Sequence, residues 1–249
     1  MNEGFISLLL RLYQDSRYIL DWLPLVPRET PSERTILREH IKGDNPLILD
    51  VGANLGSSVA FYRRLFPNAR LIAFEPDPET FQRLRRRHGH APNVTLLNCG
   101  VGAVPGRLTL QRNTHSSTNS FLQVDEDSSW VRETPGFRKI DSTDVDVVTL
   151  DGIADSLSLD YIDFVKSDTQ GFEPEVLTGA RRLLDEKRIG LLRLEIMCGK
   201  FYRKSVSLFD VESILYPFGY RLISFGGLHF DKSGVLKYFD TYFAVDRSG

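Results

Sequence analysis

The sequence predicts a doubly wound α/β domain with a mostly parallel sheet over residues 44–249, preceded by an N-terminal helical appendage over residues 1–43. Three observations carry that prediction. Short apolar runs alternate with segments of helical period, the pattern of strands covered on both faces by crossover helices. The first of these runs passes through a glycine-rich turn directly into a helix. Finally, 249 residues with 41% apolar and 26% charged side chains suit a globular chain with a full-sized core, long for one domain and short for two.

The elements follow in order. In residues 1–26, Phe5, Leu8, Leu9 and Leu12 fall at i, i+3, i+4 and i+7, which predicts an amphipathic helix. Arg11, Asp15, Arg17 and Asp21 break up its apolar character, and its uninterrupted apolar run is too short to span a bilayer, so no stable membrane insertion is expected. The basic start and small-residue cleavage site of a secretory signal are missing. The stripe is expected to pack on the main domain, with a homodimer contact, an active-site lid or attachment to a membrane surface as alternatives. Pro24, Pro27 and Pro31 punctuate the end of the segment, and residues 32–42 read as a short helix stopped at Gly43.

Strands and helices then alternate. Leu47–Val51 (LILDV) is a strand, residues 57–66 are helical with Val59, Tyr62 and Phe66 on one side, and Pro67-Asn68 turns the chain. Arg70–Phe74 is a second strand, Pro78–His88 a second helix with Phe81 and Leu84 facing inward, and residues 94–98 a third strand. Three such steps within about fifty residues predict a parallel sheet with right-handed crossovers. The middle breaks the rhythm. Residues 107–111 and 145–150 read as strands separated by a polar stretch containing His115-Ser116-Ser117-Thr118-Asn119-Ser120. That stretch has no helical period and predicts a long loop of the kind that carries function. Residues 161–166 (strand), 173–184 (helix), 191–197 (strand) and 207–218 (helix) resume the alternation, and a strand pair near 220–225 and 241–245 ends it.

The first strand ends in Asp50-Val51-Gly52-Ala53-Asn54-Leu55-Gly56-Ser57. Gly52 and Gly56 let a ligand approach the backbone, and the helix beginning near Ser57 presents unpaired N–H groups above the sheet. The next strand ends in Phe74-Glu75-Pro76, which sets a carboxylate beside that turn, where an acid can accept both hydroxyls of a ribose. A tight turn and an acid placed at a helix N-terminus are the bland readings of the same residues. A dinucleotide site needs G-x-G-x-x-G for close approach to a pyrophosphate, whereas this chain has G-A-N-L-G and a carboxylate at Asp50 that would repel one. S-adenosylmethionine has no phosphate and carries an ammonium and a sulfonium, so nearby carboxylates suit it.

On these residues the chain resembles the FkbM family of methyltransferases. The segments that carry the resemblance are LDVGANLGS (49–57), AFEPDPETF (73–81), NVTLLNCGVG (93–102), DVVTLD (146–151), DFVKSDTQGFEPEVLTGA (163–180) and LLRLEI (191–196). They run from about residue 46 to 200, with a weaker echo to 245; KSDTQGFE is the most specific of them, because methyltransferases of this general class do not share it. The resemblance implies a Rossmann-like class I methyltransferase fold, with a seven-stranded sheet whose last strand is antiparallel, and S-adenosylmethionine-dependent O-methylation of a small hydroxylated acceptor such as a sugar or a secondary metabolite. It also implies Gly52, Asn54 and Gly56 around the methionine end, Glu75 at the ribose, and Asn98, Cys99 and Gly100 at the adenine edge; Asp50, Ala53, Ser57, Pro76 and Asp168 are counted with them as cofactor-binding candidates. Cys99-Gly100 departs from the small alanines commoner in the family.

Lys166-Ser167-Asp168 closes the strand after the long loop, and alternation puts Lys166 and Asp168 on one side with Asp168 at the ligand-binding edge. Asp168 could hold the cofactor's ammonium, orient the acceptor hydroxyl, pair with Lys166, or cap the next helix. Glu195 ends the neighbouring strand. Two such carboxylates suit Mg²⁺, but no third protein ligand follows Glu195, so no metal is expected. Methyl transfer then needs alignment and a base, for which Asp168, Glu195 and His115 are the candidates.

Several classes fall away. The formal net charge of −2 advertises no polyanionic partner, and the run Arg83-Leu84-Arg85-Arg86-Arg87-His88 reads as the solvated face of a helix, so no nucleic-acid binding is expected. An RNA methyltransferase should show an N/D-P-P-Y/F motif where this chain has SDTQGF. A non-catalytic S-adenosylmethionine or nucleoside-binding module would look the same in sequence and stays open. Two cysteines, Cys99 and Cys198, without metal or disulfide spacing fit a reducing cytoplasm.

Overall fold

The computed structural model describes residues 31–204 and 206–245, so the amphipathic stretch expected over residues 1–26 lies outside the described residues. Helix α1 (Glu33–His40) is capped by Ser32, whose hydroxyl oxygen accepts the Thr35 amide at 3.2 Å. Strand β1 (Leu47–Val51), helix α2 (Ser57–Leu65), β2 (Arg70–Phe74), α3 (Pro78–His88) and β3 (Val94–Leu97) follow. After the short β4 (Gly100–Val101), strands β5 (Gly106–Asn113) and β6 (Lys139–Val148) bracket a long connection that contains α4 (Ser129–Arg132). The chain closes with α5 (Leu150–Ser156), β7 (Ile162–Ser167), α6 (Glu173–Thr178), α7 (Arg181–Asp185), β8 (Ile189–Met197), α8 (Leu208–Leu215), β9 (Tyr220–Phe230) and β10 (Leu236–Val245).

Seven strands form one sheet in the order β3-β2-β1-β7-β8-β10-β9, parallel from β3 to β8, with β10 antiparallel to both of its neighbours. The doubly wound fold and its single antiparallel strand are therefore as the resemblance implies. The chain reverses direction of travel between β1 and β7, and in such sheets the crevice outside the carboxyl ends at this switch point is where ligands bind. A second sheet has the order β4-β6-β5, and its Gly100, Val101 and Leu110 line the same cleft as the ends of β1 and β2.

Alternation divides the core between two faces. Leu49, Val51, Phe74, Val165 and Leu192 pack toward α5 to α8, while Ile48, Leu71, Phe164, Leu191 and Tyr242 pack toward α1 and α2. Helix α1 is part of this second layer, since Ile36, Leu37 and Ile41 are buried in it. Its first turn is also tied electrostatically: Arg193 reaches Glu33 at 3.0 Å and Asp240 at 2.6 Å, and the Tyr62 hydroxyl donates to Glu33 at 3.0 Å.

The differences from expectation have local causes. The helix expected over residues 173–184 is two short helices broken at Gly179-Ala180, and that over 207–218 ends as a 3₁₀ turn, Tyr216–Phe218, around Pro217. Strand β6 begins much earlier than expected, at Lys139; its first half is exposed and, Ile140 apart, polar, so it shows no alternation to read. Among the described residues no helix is long and apolar enough to cross a membrane.

Candidate functional site

Beyond β1 the chain turns through three left-handed residues, Gly52 (φ 76°), Asn54 (φ 48°) and Gly56 (φ 84°). The Gly52 and Ala53 amides donate to the Phe74 carbonyl at 3.1 and 2.9 Å, which folds the turn against the end of β2. Only glycine fits at 52: a Cβ there would stand 2.0 Å from the carbonyl oxygen of Asp168. The turn then holds Glu75. The Asn54 amide donates to Oε2 at 2.8 Å and the Asp77 amide to Oε1 at 2.9 Å, so each oxygen is fixed and keeps a further acceptor position. Burial pushes the Glu75 carboxyl up to about 7, with the Asp77 and Asn54 amides pulling the other way. Asn98 braces this strand end, its Nδ2 donating to the carbonyls of Glu75 (2.8 Å) and Pro76 (3.2 Å).

These residues line a cleft of about 570 Å³ at the switch point. Gly52, Asn54, Glu75, Pro76, Cys99 and Gly100 form one side; Asp168, Thr169 and Gln170 form the other. Phe121 lies over Gly100, where a Cβ would stand 2.5 Å from its ring, and makes an apolar slot with Phe74, Val101 and Leu110. The polar loop supplies a lid of Ser116, Ser117, Asn119 and Ser120. It is stitched to both sides, with Ser116 Oγ donating to Asn54 Oδ1 (2.9 Å) and Ser120 Oγ to the Gln170 carbonyl (3.0 Å).

The far side is built from charges. Lys166, buried, reaches Asp50 Oδ1 at 3.0 Å and Asp168 Oδ2 at 3.7 Å, and donates to the Gly52 carbonyl at 2.8 Å. Burial would push the Lys166 ammonium down, but Asp50 and Asp168 hold it above its usual value. Gln170 Nε2 donates to Asp168 Oδ1 at 3.1 Å and to Glu195 Oε2 at 2.6 Å, and the Tyr202 hydroxyl donates to Gln170 Oε1 at 3.2 Å. Burial, followed by Asp168, Glu173 and Asp240, raises the Glu195 carboxyl well above the usual range, which favours its protonated form. Behind this row Glu173, fully buried, accepts from the Thr169 amide (2.7 Å) and hydroxyl (2.8 Å), and burial pushes it up to about 7.

The structure thus brings Gly52, Asn54, Glu75, Pro76, Cys99, Gly100 and Asp168 together around one cleft, with Glu195 one hydrogen bond behind it through Gln170. Other expected residues lie elsewhere. Asp50 is fully buried beneath the turn, bound by Lys166 and Ser58, so its charge is neutralised internally and faces no ligand. Ala53 is buried behind the turn, Gly56 packs against Leu84 and His88, Ser57 is exposed at the start of α2, and Asn98 acts as a brace. His115 is exposed and borders the neighbouring groove, not the cleft. Sequence reasoning missed Thr169, Gln170, Phe121 and the loop serines; the KSDTQGFE and HSSTNS segments carried the signal, but nothing in their spacing showed which side chains turn inward. For a divalent ion the residues do not fit: the facing oxygens of Asp168 and Glu195 are joined by an amide donor, and no cluster of three or more His, Cys, Asp or Glu stands together among the described residues.

Comparison with known proteins sets this geometry in context. A family model described as the methyltransferase FkbM domain matches residues 50–222. Methyltransferase sdnD of Sordaria araneosa is 31% identical over 171 residues, covering 60% of this chain and 64% of its own length. The 2-O-methyltransferase NoeI of Sinorhizobium fredii is 26% identical over 148 residues, covering 58% of this chain and 61% of its own. The hexuronic acid methyltransferase AglP of Haloferax volcanii is 24% identical over 176 residues, covering 69% and 65%. The chain thus spans slightly less than two thirds of the length of these relatives. A crystal structure of a methyltransferase FkbM from Methylobacillus flagellatus superposes with a TM-score of 0.52 at 23% identity, covering 80% of this chain and 44% of that one, a likeness of fold.

Proposed function

The chain belongs to the methyltransferase FkbM family, and from that premise we propose that it transfers the methyl group of S-adenosylmethionine to a hydroxyl oxygen of a small molecule, a sugar or a secondary metabolite. The observation that carries this reading is Glu75, held by two backbone amides beside a left-handed turn with one acceptor position free on each oxygen, across a cleft from Asp168. A carboxylate so prepared suits the two hydroxyls of a ribose. The slot under Phe121 beside Cys99 and Gly100 suits a flat purine, and Gly52, Asn54 and Asp168 suit the cationic methionine end. When bound, the cofactor supplies a methyl group on a sulfonium, open to in-line attack by oxygen. The protein's share is then alignment and proton removal. Asp168 is the side chain we place nearest the acceptor hydroxyl, with Glu195, in its neutral form, behind it through Gln170.

Sugars are the first acceptors to try, because two of the relatives carry sugar or 2-O-methyl specificity in their names. No nucleic-acid acceptor is proposed. Residues 44–249 form the methyltransferase domain in this reading and residues 1–43 its appendage, through which a homodimer could form, although α1 within that span packs into the core. A reducing cytoplasm fits the free thiols of Cys99 and Cys198.

The test is incubation with methyl-labelled S-adenosylmethionine and a panel of neutral hexoses, 6-deoxyhexoses and hexuronic acids. Label should pass to an acceptor hydroxyl, and S-adenosylhomocysteine but not NAD should raise the melting temperature by ligand linkage. A thermal shift with no transfer to any acceptor would favour the binding-module reading instead.

A further inference from the structure

We infer that Glu173, acting through the hydroxyl of Thr169, takes up the proton that the acceptor oxygen gives up on methylation; this rests on the methyltransferase reading above. Three observations point to it. Thr169 lines the cleft directly beside Asp168. Its hydroxyl is committed to Glu173 Oε1 at 2.8 Å, and its amide to the same oxygen at 2.7 Å, so the hydroxyl proton points at a carboxyl and its lone pairs stay free for another donor. Glu173 itself is 0% exposed, and its second oxygen, Oε2, has no hydrogen-bond partner in any other described residue, its own amide being the one further backbone group that steadies the charge. A buried carboxyl oxygen left without a partner is uncommon and asks for a reason beyond packing. A structural tie to the Thr169 backbone needs only one neutral acceptor, which glutamine would provide; the cost of burying a charge here is explained if the group changes charge during turnover.

The other acids are less suited to receive the proton. Glu195 is driven toward its protonated form, Asp168 already has Gln170 at 3.1 Å and Lys166 at 3.7 Å as partners, and His115 stands outside the cleft. The groups that face Glu173 are Asp168, whose charge raises it, and Glu195 and Tyr202, which its own charge raises. Asp168 disfavours a second negative charge beside it, so a neutral Glu173 relieves that pair. In the step, the acceptor oxygen forms its bond to the methyl carbon as the carbon–sulfur bond breaks, the electron pair remaining on sulfur. The acceptor's O–H proton passes to Thr169 Oγ1, and the Thr169 proton passes to Glu173 Oε1. The neutral carboxyl returns its proton to solvent through the same hydroxyl after product leaves.

The experiment compares the intact protein with Glu173→Gln, Thr169→Val and Thr169→Ser, using the most active sugar of the panel above and saturating S-adenosylmethionine. Turnover of the unmodified protein should fall as pH drops through about 7, where Glu173 takes its proton. Glu173→Gln and Thr169→Val should lower the plateau by about 10²-fold and lose that acidic limb. Thr169→Ser, which keeps the hydroxyl, should retain both. A second readout is independent of turnover: infrared difference titration of the protein with bound S-adenosylhomocysteine should show a carboxyl band titrating near 7, absent in Glu173→Gln, moved to higher pH in Thr169→Val and unmoved in Thr169→Ser. Transfer by the unmodified protein with an intact acidic limb in Glu173→Gln would overturn this inference alone. No transfer by the unmodified protein to any acceptor would overturn the methyltransferase reading, and this step with it.

Discussion

The two halves of the carboxyl edge are made by different means. On the side of β1 to β4 the ligand-facing geometry is backbone: left-handed residues at 52 and 54, two amides aimed at Glu75, and Gly100 under Phe121. On the β7–β8 side it is side-chain charge. The register sets Asp50, Lys166, Arg193 and Tyr242 in one row across the sheet, and Glu195 opposite Asp240 in the row above. Lys166 ties Asp50 to Asp168 and Arg193 ties Asp240 to Glu33, while Glu195 is held by Gln170. The first half is specified by residues adjacent in sequence and is sensitive to shape. The second depends on partners over a hundred residues apart, Lys166 with Gly52 among them, and is sensitive to charge.

The largest effect should come from breaking the charge row. Lys166→Met keeps the volume but leaves Asp50 buried with its cation gone, and loss of one partner of a buried pair costs about 3–5 kcal/mol. Urea unfolding should show that loss, and Asp50→Asn added to it should recover a substantial part. A single mutant as stable as the parent would mean that the Lys166–Asp50 pair does not hold this edge of the sheet together. Next in size, Asp168→Asn should cut turnover by about 10²–10⁴-fold with little change in S-adenosylhomocysteine affinity, as for a group that works on the acceptor hydroxyl. A matching fall in affinity would move Asp168 to the methionine ammonium, and thus from one half of the comparison to the other.

Each half holds an acid raised to about 7, Glu75 in the first and Glu173 in the second, and pH tests them together. Each is pushed from 4.5 to about 7 in the fold. A raised folded-state value means the native state binds the proton more tightly. The stability from that proton is therefore fully present below about 4.5 and is lost as pH rises through about 7, a difference of roughly 3 kcal/mol per group at most. Glu173→Gln should remove its share, so that the variant gains on the parent between those pH values. For Glu75 the ligand enters as well. A ribose donating two hydrogen bonds favours the anion, so S-adenosylhomocysteine should bind more tightly as pH rises to 7, and Glu75→Ala should lose most of the thermal shift. Equal ligand shifts in parent and variant would take Glu75 away from the ribose.

What the sequence made legible follows the same division. The turn, Glu75, the strand ends and the parallel order were readable because each is a local pattern: apolar runs, glycines before a helix, an acid after a strand. Asp50 was misjudged because its partner Lys166 lies on β7, and only the sheet's register brings them to 3.0 Å. The lid was legible as a loop and no further. A polar stretch without period gives no sign that Ser116 reaches Asn54 or that Phe121 covers Gly100. Glu173 drew no reading of its own as the first residue of an expected helix, since burial of that turn is a tertiary fact.

The smallest expected effect concerns the loop histidine. His115 contributes its backbone to the lid, its amide donating to the Gly136 carbonyl (3.2 Å) and its own carbonyl accepting from the Thr118 amide (3.0 Å). Its ring rests against Gly136, where a Cβ would stand 3.0 Å from Nδ1, and the side chain is exposed on the groove outside the cleft. A general base must come within hydrogen-bond reach of the proton it removes, and from this position the ring can do so only if the lid rearranges. His115→Ala preserves every backbone contact of the loop, so turnover should stay within about twofold and stability within about 0.5 kcal/mol, as for a surface substitution. The pH profile should keep its acidic limb near 7, as it must if that limb belongs to Glu173 and not to the lid. If His115→Ala instead lost that limb with an unchanged melting temperature, the proton would leave by way of the lid, and the charge-built half of the edge would serve binding alone.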